Sequence, residues 1–307
     1  LFHHQGRFMF DPALFKKVSV QKGTGSASAG IGATSGAIVA ETMSAKDLLK
    51  DGQDIGFKLN AGVSSNKGWS KGATVYSRAG IMDALISGNW VKESEYKVGN
   101  GYKIKNSALG QRGLLAKVGA DLNEDHRIEL SHRQERHYGI RALREEFDFA
   151  QDNNEANNAP SYRITTNDTS KIEWTGKNMG FISNAKANVW RSVISREEPS
   201  EHSRTRLIAN GANVNLDSPI GESHLIKYGV NYRDQEGKPN SLTVQNGVQM
   251  KTQKKRDVGI YTEGIWGLGA FTLTTGLRYD HFSFRAMDGS KSSKGNLNPS
   301  VGLIYEV

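Results

Sequence analysis

The chain has 307 residues, no cysteine, 36% hydrophobic residues and a formal charge of +8, from 40 Lys plus Arg against 32 Asp plus Glu. The lack of thiols excludes a disulfide framework and a thiolate metal site, and no stretch approaches the roughly 18 apolar residues that a membrane-spanning helix needs. The 36% counts no glycine, whereas the roughly 45–50% of an ordinary globular domain includes it; the 34 glycines exceed average usage.

The positive charge leaves nucleic acid, anionic ligands and anionic lipids open as partners. The one strong basic run is Lys254-Lys255-Arg256, and acidic residues stand among the basic ones along the rest of the chain. This diffuse distribution favours a solvated surface over a dedicated nucleic-acid patch.

The first 51 residues predict a small mixed α+β segment. Residues 11–15 predict a turn into a helical stub, and residues 18–22 and 37–41 predict short strands. The glycine-rich run at 23–36 superficially resembles a phosphate-binding loop. A dinucleotide site needs such glycines to open a helix, and the following Ala-Ile-Val-Ala is typical of a strand. Glycines that permit tight turns are therefore the favoured interpretation.

From residue 52 onward the dominant pattern is alternation with a period of two, which predicts β-strands. In the segment 55–63, apolar side chains occupy every second position, and the same pattern recurs at 114–122, 226–232, 273–279 and 301–307. Such runs number about twelve between residues 52 and 307.

A soluble β-sandwich would also alternate, but three details favour a membrane barrel. The segments approach the roughly 9–11 residues with which a tilted strand crosses a bilayer. Their polar face is rich in Gly, Lys, Arg, Asn and Asp, which suits a water-filled lumen. Aromatic residues placed near the segment ends are typical of interfacial girdles; these are Trp69, Trp90, Trp266 and Tyr279.

The connections point the same way, because short and long ones alternate. Short turns are predicted at 123–124, 177–179, 218–221 and 267–269, and long polar segments at 93–110, 137–162, 196–204, 235–255 and 286–296. An outer-membrane barrel has short periplasmic turns and long extracellular loops. A β-sandwich does not require short and long connections to alternate.

Neither end of the chain has the character of a natural terminus. Leu1 is not a start methionine, no signal peptide follows it, and the last predicted strand runs to Val307. Since closed barrels leave no free edge, either the barrel closes at twelve strands or further strands lie outside this chain. The ends favour the second alternative, an internal piece of a longer protein.

Several segments resemble the TonB-dependent outer-membrane receptors. The junction Glu41–Leu49 is similar to the end of their plug, where it leads into the first barrel strand. Five further segments resemble the neisserial ferric-enterobactin receptors (the FetA or FrpB group) and the related CopB proteins of Moraxella; they are 125–132, 139–147, 160–163, 174–181 and 225–233.

The resemblance implies an all-β transmembrane barrel of about 22 strands that is filled by an α+β plug. On this basis residues 1–51 are expected to be the C-terminal part of the plug domain, and residues 52–307 the first half of the barrel. It further implies a monomeric receptor in the outer membrane of a Gram-negative bacterium, in contact with lipid and lipopolysaccharide. Such receptors import a ferric siderophore of the catecholate, enterobactin type, or iron, with energy from TonB.

A ferric catecholate is a bulky trianion, so its site needs Arg and Lys for charge and aromatic rings for stacking. Imidazole and phenolate can also ligate Fe(III) directly, which makes His3 and His4 candidate metal ligands. Glu145 and Glu146 follow the arginines of one loop, and a self-neutralised, solvated loop is the alternative there. The ligand-binding candidates are His3, His4, Arg7, Tyr96, Tyr102, His137, Tyr138, Arg141 and Arg144.

We find no catalytic arrangement in the sequence: it has no cysteine, no His-Glu-x-x-His and no P-loop. We therefore expect a receptor without a resident cofactor and not an enzyme. Three alternatives stay open: a haem or haemoglobin receptor that pairs His137 or His202 with His3 or His4, a passive porin or adhesin, and a soluble β protein that binds nucleic acid.

Overall fold

The computed structural model describes residues 11–22, 27–29, 36–141, 160–239, 244–245, 248–249 and 251–307. Within these residues, no helix has the length and apolar character needed to cross a membrane.

The N-terminal segment is a short antiparallel hairpin framed by single turns. A 3-10 turn, Pro12–Leu14, leads into β1 (Phe15–Lys22), which pairs with β2 (Gly36–Thr42); a second 3-10 turn, Ala27–Ala29, lies between them. The four-residue helix α1 (Ala45–Leu48) follows, and a capping box formed by Ser44 and Asp47 begins it. The predicted stub and both short strands are confirmed. Since β2 begins at Gly36, the glycine run leads into a strand, as expected.

Twelve strands then form one antiparallel sheet in chain order, with each strand paired to its predecessor. They are β3 (Ile55–Val63), β4 (Trp69–Ala79), β5 (Met82–Glu93), β6 (Leu109–Asp121), β7 (His126–Arg141), β8 (Ser161–Met179), β9 (Ile182–Glu198), β10 (Ser203–Ile220), β11 (His224–Lys238), β14 (Gln253–Leu268), β15 (Phe271–Arg285) and β16 (Lys291–Tyr305). The two-residue strands β12 (Val244–Gln245) and β13 (Val248–Gln249) pair with each other inside the β11–β14 connection. Among the described residues β3 and β16 are not paired with each other, so the twelve strands do not close.

The two faces of this sheet differ in polarity. One face, which we call the outer face, carries the exposed apolar residues of the alternation; Leu130, Ile172 and Val189 lie side by side on β7, β8 and β9, and each is more than half exposed. The opposite inner face carries buried polar side chains such as Lys117 and Glu135. Because exposed apolar bands of this kind mark membrane contact, the outer face is the lipid-facing one.

Short and long connections alternate except at residues 199–202, where the connection expected to be long has four residues, as many as the short one at 122–125. Two-residue turns join β4 to β5, β8 to β9 and β14 to β15, and Gly180 and Gly269 adopt φ of 66° and 67° in the latter two. Positive φ is accessible to glycine without steric cost, which explains part of the glycine excess.

Several predicted boundaries between strands and connections are wrong, because the strands continue into polar segments in which no apolar residues mark them. The connection expected at 196–204 shrinks to 199–202, and the one expected at 286–296 shrinks to 286–290. Strand β7 extends to Arg141, into the loop expected to begin at 137. Tyr279, expected near a segment end, lies in the middle of β15, because that strand extends to Arg285.

Candidate functional site

The N-terminal segment packs against the inner face of the sheet. Its contact has a small apolar core of Leu14, Ala45, Leu85 and Leu115, of which the first two belong to the segment and the last two to β5 and β6. Each of the four is almost fully buried. Polar contacts to β5, β6 and β7 accompany this core.

The first polar contact joins Asp11 to strand β7. The Asp11 N–H donates to Oε2 of Glu135 over 2.8 Å, and Nδ2 of Asn89 lies 3.4 and 3.2 Å from the two Asp11 carboxylate oxygens. Oε1 of Glu135 lies 2.7 Å from Nε of Arg133, whose guanidinium stacks over the ring of Phe15 at 4.8 Å. Since Asp11 and Glu135 are both buried, their charges depend on these partners.

The second contact lies at the junction between β2 and α1. Nζ of Lys117 donates to Oγ1 of Thr42 over 2.8 Å and to Oγ of Ser44 over 3.2 Å, and it lies 3.6 Å from Oε2 of Glu129. Ser44 Oγ in turn donates to the same carboxylate oxygen over 2.9 Å. The four side chains form one closed polar cluster between the segment and the sheet.

A third, more exposed contact continues towards the short turns. Arg127 makes a bidentate pair with Asp83 at 2.7 and 2.8 Å and also donates to Asp121 over 3.1 Å. Lys46 of α1 reaches the same Asp121 at 2.9 Å. Bidentate Arg–carboxylate pairs fix orientation as well as charge, so this contact holds the helix over the end of the wall.

The segment also reaches strands at the far side of the sheet. Nη1 of Arg278 donates to the Ala27 carbonyl over 3.1 Å, and the Ser28 N–H donates to Oε2 of Glu263 over 3.1 Å. Arg278 is held in place by Asp280, with Nε 3.0 Å from both carboxylate oxygens. Residues 11–48 therefore contact the inner face on β5–β7 and again on β14 and β15.

The end of the sheet that carries the long connections contains several of the ligand-binding candidates. Tyr96 and Tyr102 lie on a small hairpin, in which the Ile104 N–H donates to the Tyr96 carbonyl and the Val98 N–H to that of Tyr102, each over 2.9 Å. Nη1 of Arg141 donates to the Asn106 carbonyl over 2.9 Å, so it ties the end of β7 to this hairpin. The structure thus brings these three candidates to one region.

His137 and Tyr138 lie on opposite faces of β7. His137 faces inward, and its half-buried ring has an Nε2 atom without a hydrogen-bond partner. Tyr138 pairs with Gly110 on the outer face, and its ring occupies the space over that glycine. The remaining candidates, His3, His4, Arg7 and Arg144, lie outside the described residues.

One group of residues at this end was not predicted. A cleft of about 700 Å³ lies at the ends of β11, β14, β15 and β16, and five of its lining residues are basic; these are Lys254, Lys255, Arg256, Arg285 and Lys291. From the sequence alone, the run at 254–256 is interpreted as part of a solvated surface. The signal that identifies the cleft is the cross-strand pairing of Lys254 with Arg285 and of Arg285 with Lys291. Among the described residues, no cluster of three or more His, Cys, Asp or Glu suits a metal ion.

Comparisons with known proteins agree with this architecture. A family model described as TonB dependent receptor-like, beta-barrel matches residues 51–307. The solved structure of the FrpB iron transporter from Neisseria meningitidis (F3-3 variant) has a TM-score of 0.92 at 41% identity and covers 99% of this chain and 52% of its own. The haem transporter BhuA of Brucella abortus is 26% identical over 318 residues, 99% of this chain and 46% of the relative. The heme/hemopexin utilization protein C of Haemophilus influenzae is 34% identical over 134 residues, 43% of this chain and 19% of the relative. The chain spans about half the length of the curated relatives that it matches end to end.

Proposed function

Because the chain belongs to the TonB-dependent receptor-like β-barrel family, we propose that the intact protein is a receptor that imports a ferric siderophore of the catecholate type, or iron itself, into the periplasm. It lies in the outer membrane of a Gram-negative bacterium, as receptors of this family do. In this proposal residues 52–307 form the first half of the barrel, residues 1–51 end the plug, and TonB supplies energy through a plug segment outside this chain. The protein then acts as a monomeric transport receptor, without nucleic acid, a resident cofactor or an enzymatic step.

The observation that carries the proposal is the set of buried polar contacts between residues 11–48 and the inner face. A passive porin needs an open channel, whereas large plugged barrels belong to active outer-membrane transporters. The Asp11–Glu135 contact and the Lys117 cluster hold the segment across the lumen side of the wall. Such contacts have no use in an open pore.

Iron as the cargo is supported by the match to FrpB, a protein described as an iron transporter, and by the chemistry of the loop end. The hairpin with Tyr96 and Tyr102, together with Arg141, offers rings for stacking and a guanidinium for a trianionic chelate. We propose these three as ligand contacts. His3, His4, Arg7 and Arg144 stay candidates, and His3 and His4 are proposed Fe(III) ligands; Tyr138 is withdrawn because it lies on the outer face.

Haem is the second candidate, and one observation favours it. His137 faces inward with an unpartnered Nε2, and a neutral imidazole nitrogen is the usual axial ligand of haem iron. BhuA, which matches nearly the whole chain, is described as a haem transporter. Binding of haem would therefore depend on His137, and binding of a ferric siderophore on the hairpin with Tyr96 and Tyr102.

Binding measurements on the purified intact protein separate these candidates. Titration with ferric enterobactin, with haemin and with ferric citrate would be followed by tryptophan quenching and by the haem Soret band. We expect ferric enterobactin to bind, and Tyr102→Ala with Arg141→Ala to weaken it at least tenfold while His137→Ala leaves it unchanged. A Soret shift that His137→Ala abolishes, with no ferric enterobactin binding, would instead establish the haem receptor.

A further inference from the structure

We propose that the inner face of β14, β15 and β16 carries a subsite for an aromatic ring that bears negative charge. Phe282 of β15 is its centre, and Lys255 of β14 and Lys294 of β16 lie on either side of that ring. The inference rests on the proposed function for its cargo. It adds contacts on strands that the hairpin with Tyr96 and Tyr102 does not include.

The three side chains of the subsite share the inner face of the wall. Successive residues of a strand alternate between the two faces. Phe282 therefore lies on the same side of β15 as Arg278, which donates to the N-terminal segment. Lys255 lies on the same side of β14 as Glu263, which accepts from that segment. Lys294 pairs directly with Phe282 and so shares its face.

The subsite lies between the N-terminal segment and the long connections. Phe282 is four residues beyond Arg278 on β15, and Lys255 is eight residues beyond Glu263 on β14. At about 3.3 Å per residue, these steps correspond to roughly 13 and 26 Å along the strands. The long connections are extracellular in a barrel of this kind, so the subsite faces the end of the lumen at which a ligand enters.

The subsite already places a cation beside a ring. Nζ of Lys255 lies 5.6 Å from the centroid of the Phe282 ring, within the distance of a cation–π contact. Lys294 is exposed, and it forms no ion pair in the part of the chain that the structure describes. A ligand ring that stacks on Phe282 would therefore have an ammonium group on each side.

The carboxylates next to the subsite are buried and already paired. Asp257 accepts from Nη2 and Nε of Arg233 over 2.7 and 3.2 Å, and it lies 3.8 Å from Nζ of Lys255. Asp280 accepts from Nε of Arg278 over 3.0 Å. Each of the two aspartates is 1% exposed. The surface that faces the lumen therefore consists of cations and a ring, which favours an anion over a cation.

This combination of groups suits a flat anion. Offset stacking of two aromatic rings is favourable, and charged ligand oxygens gain strong hydrogen bonds from lysine. A ferric catecholate meets both conditions, and haem meets them with its macrocycle and its propionates. Ferric citrate is an anion without a ring, so it can use the lysines alone. The subsite therefore selects aromatic over aliphatic anionic cargo.

Binding to the purified intact receptor tests this selectivity with ferric enterobactin, haemin and ferric citrate. Phe282→Leu keeps an apolar side chain but removes the ring, so it should weaken the aromatic cargo about fivefold and leave ferric citrate unchanged. Phe282→Trp supplies a larger ring and should retain the affinity. Lys255→Gln with Lys294→Gln should weaken the aromatic cargo about tenfold at low salt and less at about 1 M salt.

Phe271→Leu is the matched control, because this ring lies on the outer face of the same strand, 4.8 Å from the ring of Tyr305. An unchanged affinity of Phe282→Leu for the aromatic cargo would overturn the proposal. An equal loss in Phe271→Leu would also overturn it, and so would a loss in Phe282→Trp as large as that in Phe282→Leu. Heat-modifiable gel mobility checks that each variant is folded.

A small probe separates this test from that of the proposed function. Saturation-transfer NMR with the dihydroxybenzoate anion measures the subsite alone, with cyclohexanecarboxylate as the aliphatic anion. We expect transfer to dihydroxybenzoate that Phe282→Leu reduces about twofold or more, and little transfer to cyclohexanecarboxylate. If no iron complex binds but this transfer depends on Phe282, the proposed function fails and the subsite stands. If ferric enterobactin binds but the transfer is absent or does not depend on Phe282, the subsite is overturned and the proposed function stands.

Discussion

The backbone N–H of Asp11 donates to the Glu135 carboxylate over 2.8 Å, although 124 residues separate the two in the chain. Glu135 is almost fully buried on the inner face, and its second oxygen faces Arg133. This one carboxylate therefore connects the start of the N-terminal segment to the wall of the barrel.

Glu135→Ala should loosen this end of the segment. It leaves the Asp11 N–H without its acceptor and removes the carboxylate that faces Arg133; an orphaned buried donor costs about 1–3 kcal/mol. Hydrogen exchange of residues 11–15 should accelerate accordingly. Glu135→Gln keeps one carbonyl acceptor and should show a smaller change; equal exchange rates in the unmodified protein and in Glu135→Ala would contradict the contact.

Lys117→Met should release the junction at residues 42–48. Removing one partner of a buried ion pair costs about 3–5 kcal/mol when the other charge is left unpaired; the cost here is smaller, because Glu129 keeps Arg127 and Ser44 as partners. Limited proteolysis near α1 gives the measurement. Lys171→Met is the matched control, since that lysine is more exposed and its pair with Glu173 is worth about 1 kcal/mol or less. Cleavage that increases equally in both variants would show that the Lys117 cluster does not hold the junction.

Gly211→Ala should destabilise the wall next to Trp190. A Cβ atom at this glycine would lie 2.2–2.4 Å from the indole atoms, whereas at Gly302 the nearest atom is 3.9 Å away. Overpacking of this kind costs about 1–3 kcal/mol. The midpoint of thermal unfolding, followed by gel mobility, should fall for Gly211→Ala and stay nearly unchanged for Gly302→Ala. A fall of the same size at both positions would mean that the close approach is not responsible.

Tyr138→Ala should leave ligand affinity unchanged, because this ring lies on the outer face over Gly110. Arg141→Ala, three residues further on, should weaken affinity because it removes a proposed ligand contact and loosens the hairpin that Arg141 holds through Asn106. Fluorescence titration of the intact protein with ferric enterobactin measures both. A loss of affinity in Tyr138→Ala as large as that in Arg141→Ala would contradict the assignment of faces.

The barrel fold could be predicted from the sequence because the pattern that specifies each strand lies within that strand. Alternation of apolar and polar residues predicted the strands and assigned residues to the two faces in segments such as 55–63 and 114–122. The lengths of the connections predicted which end of the strands faces the periplasm. Strand ends could not be predicted where both faces turn polar. Arg196 and Glu198 have the composition of a loop but belong to β9, because Glu198 pairs with Arg163 at 3.0 Å on the neighbouring strand. The family resemblance seen in the sequence is confirmed by the matches to the receptor barrel and to FrpB.

The contacts of the N-terminal segment could not be predicted from the sequence for a different reason. Ser44 and Glu129 are 85 residues apart, and nothing in either segment indicates the other. Loop positions such as Tyr138 were misplaced because a strand, and not a loop, carries them.

Uptake of radioactive iron from ferric enterobactin tests the central claim most directly. Cells whose outer membrane contains the intact protein as their sole receptor would be compared with otherwise identical cells that lack TonB. We expect iron to accumulate only when both the receptor and TonB are present. The double variant Tyr102→Ala with Arg141→Ala should reduce this accumulation. Accumulation that continues at the same rate without TonB would contradict it and would establish a passive pore.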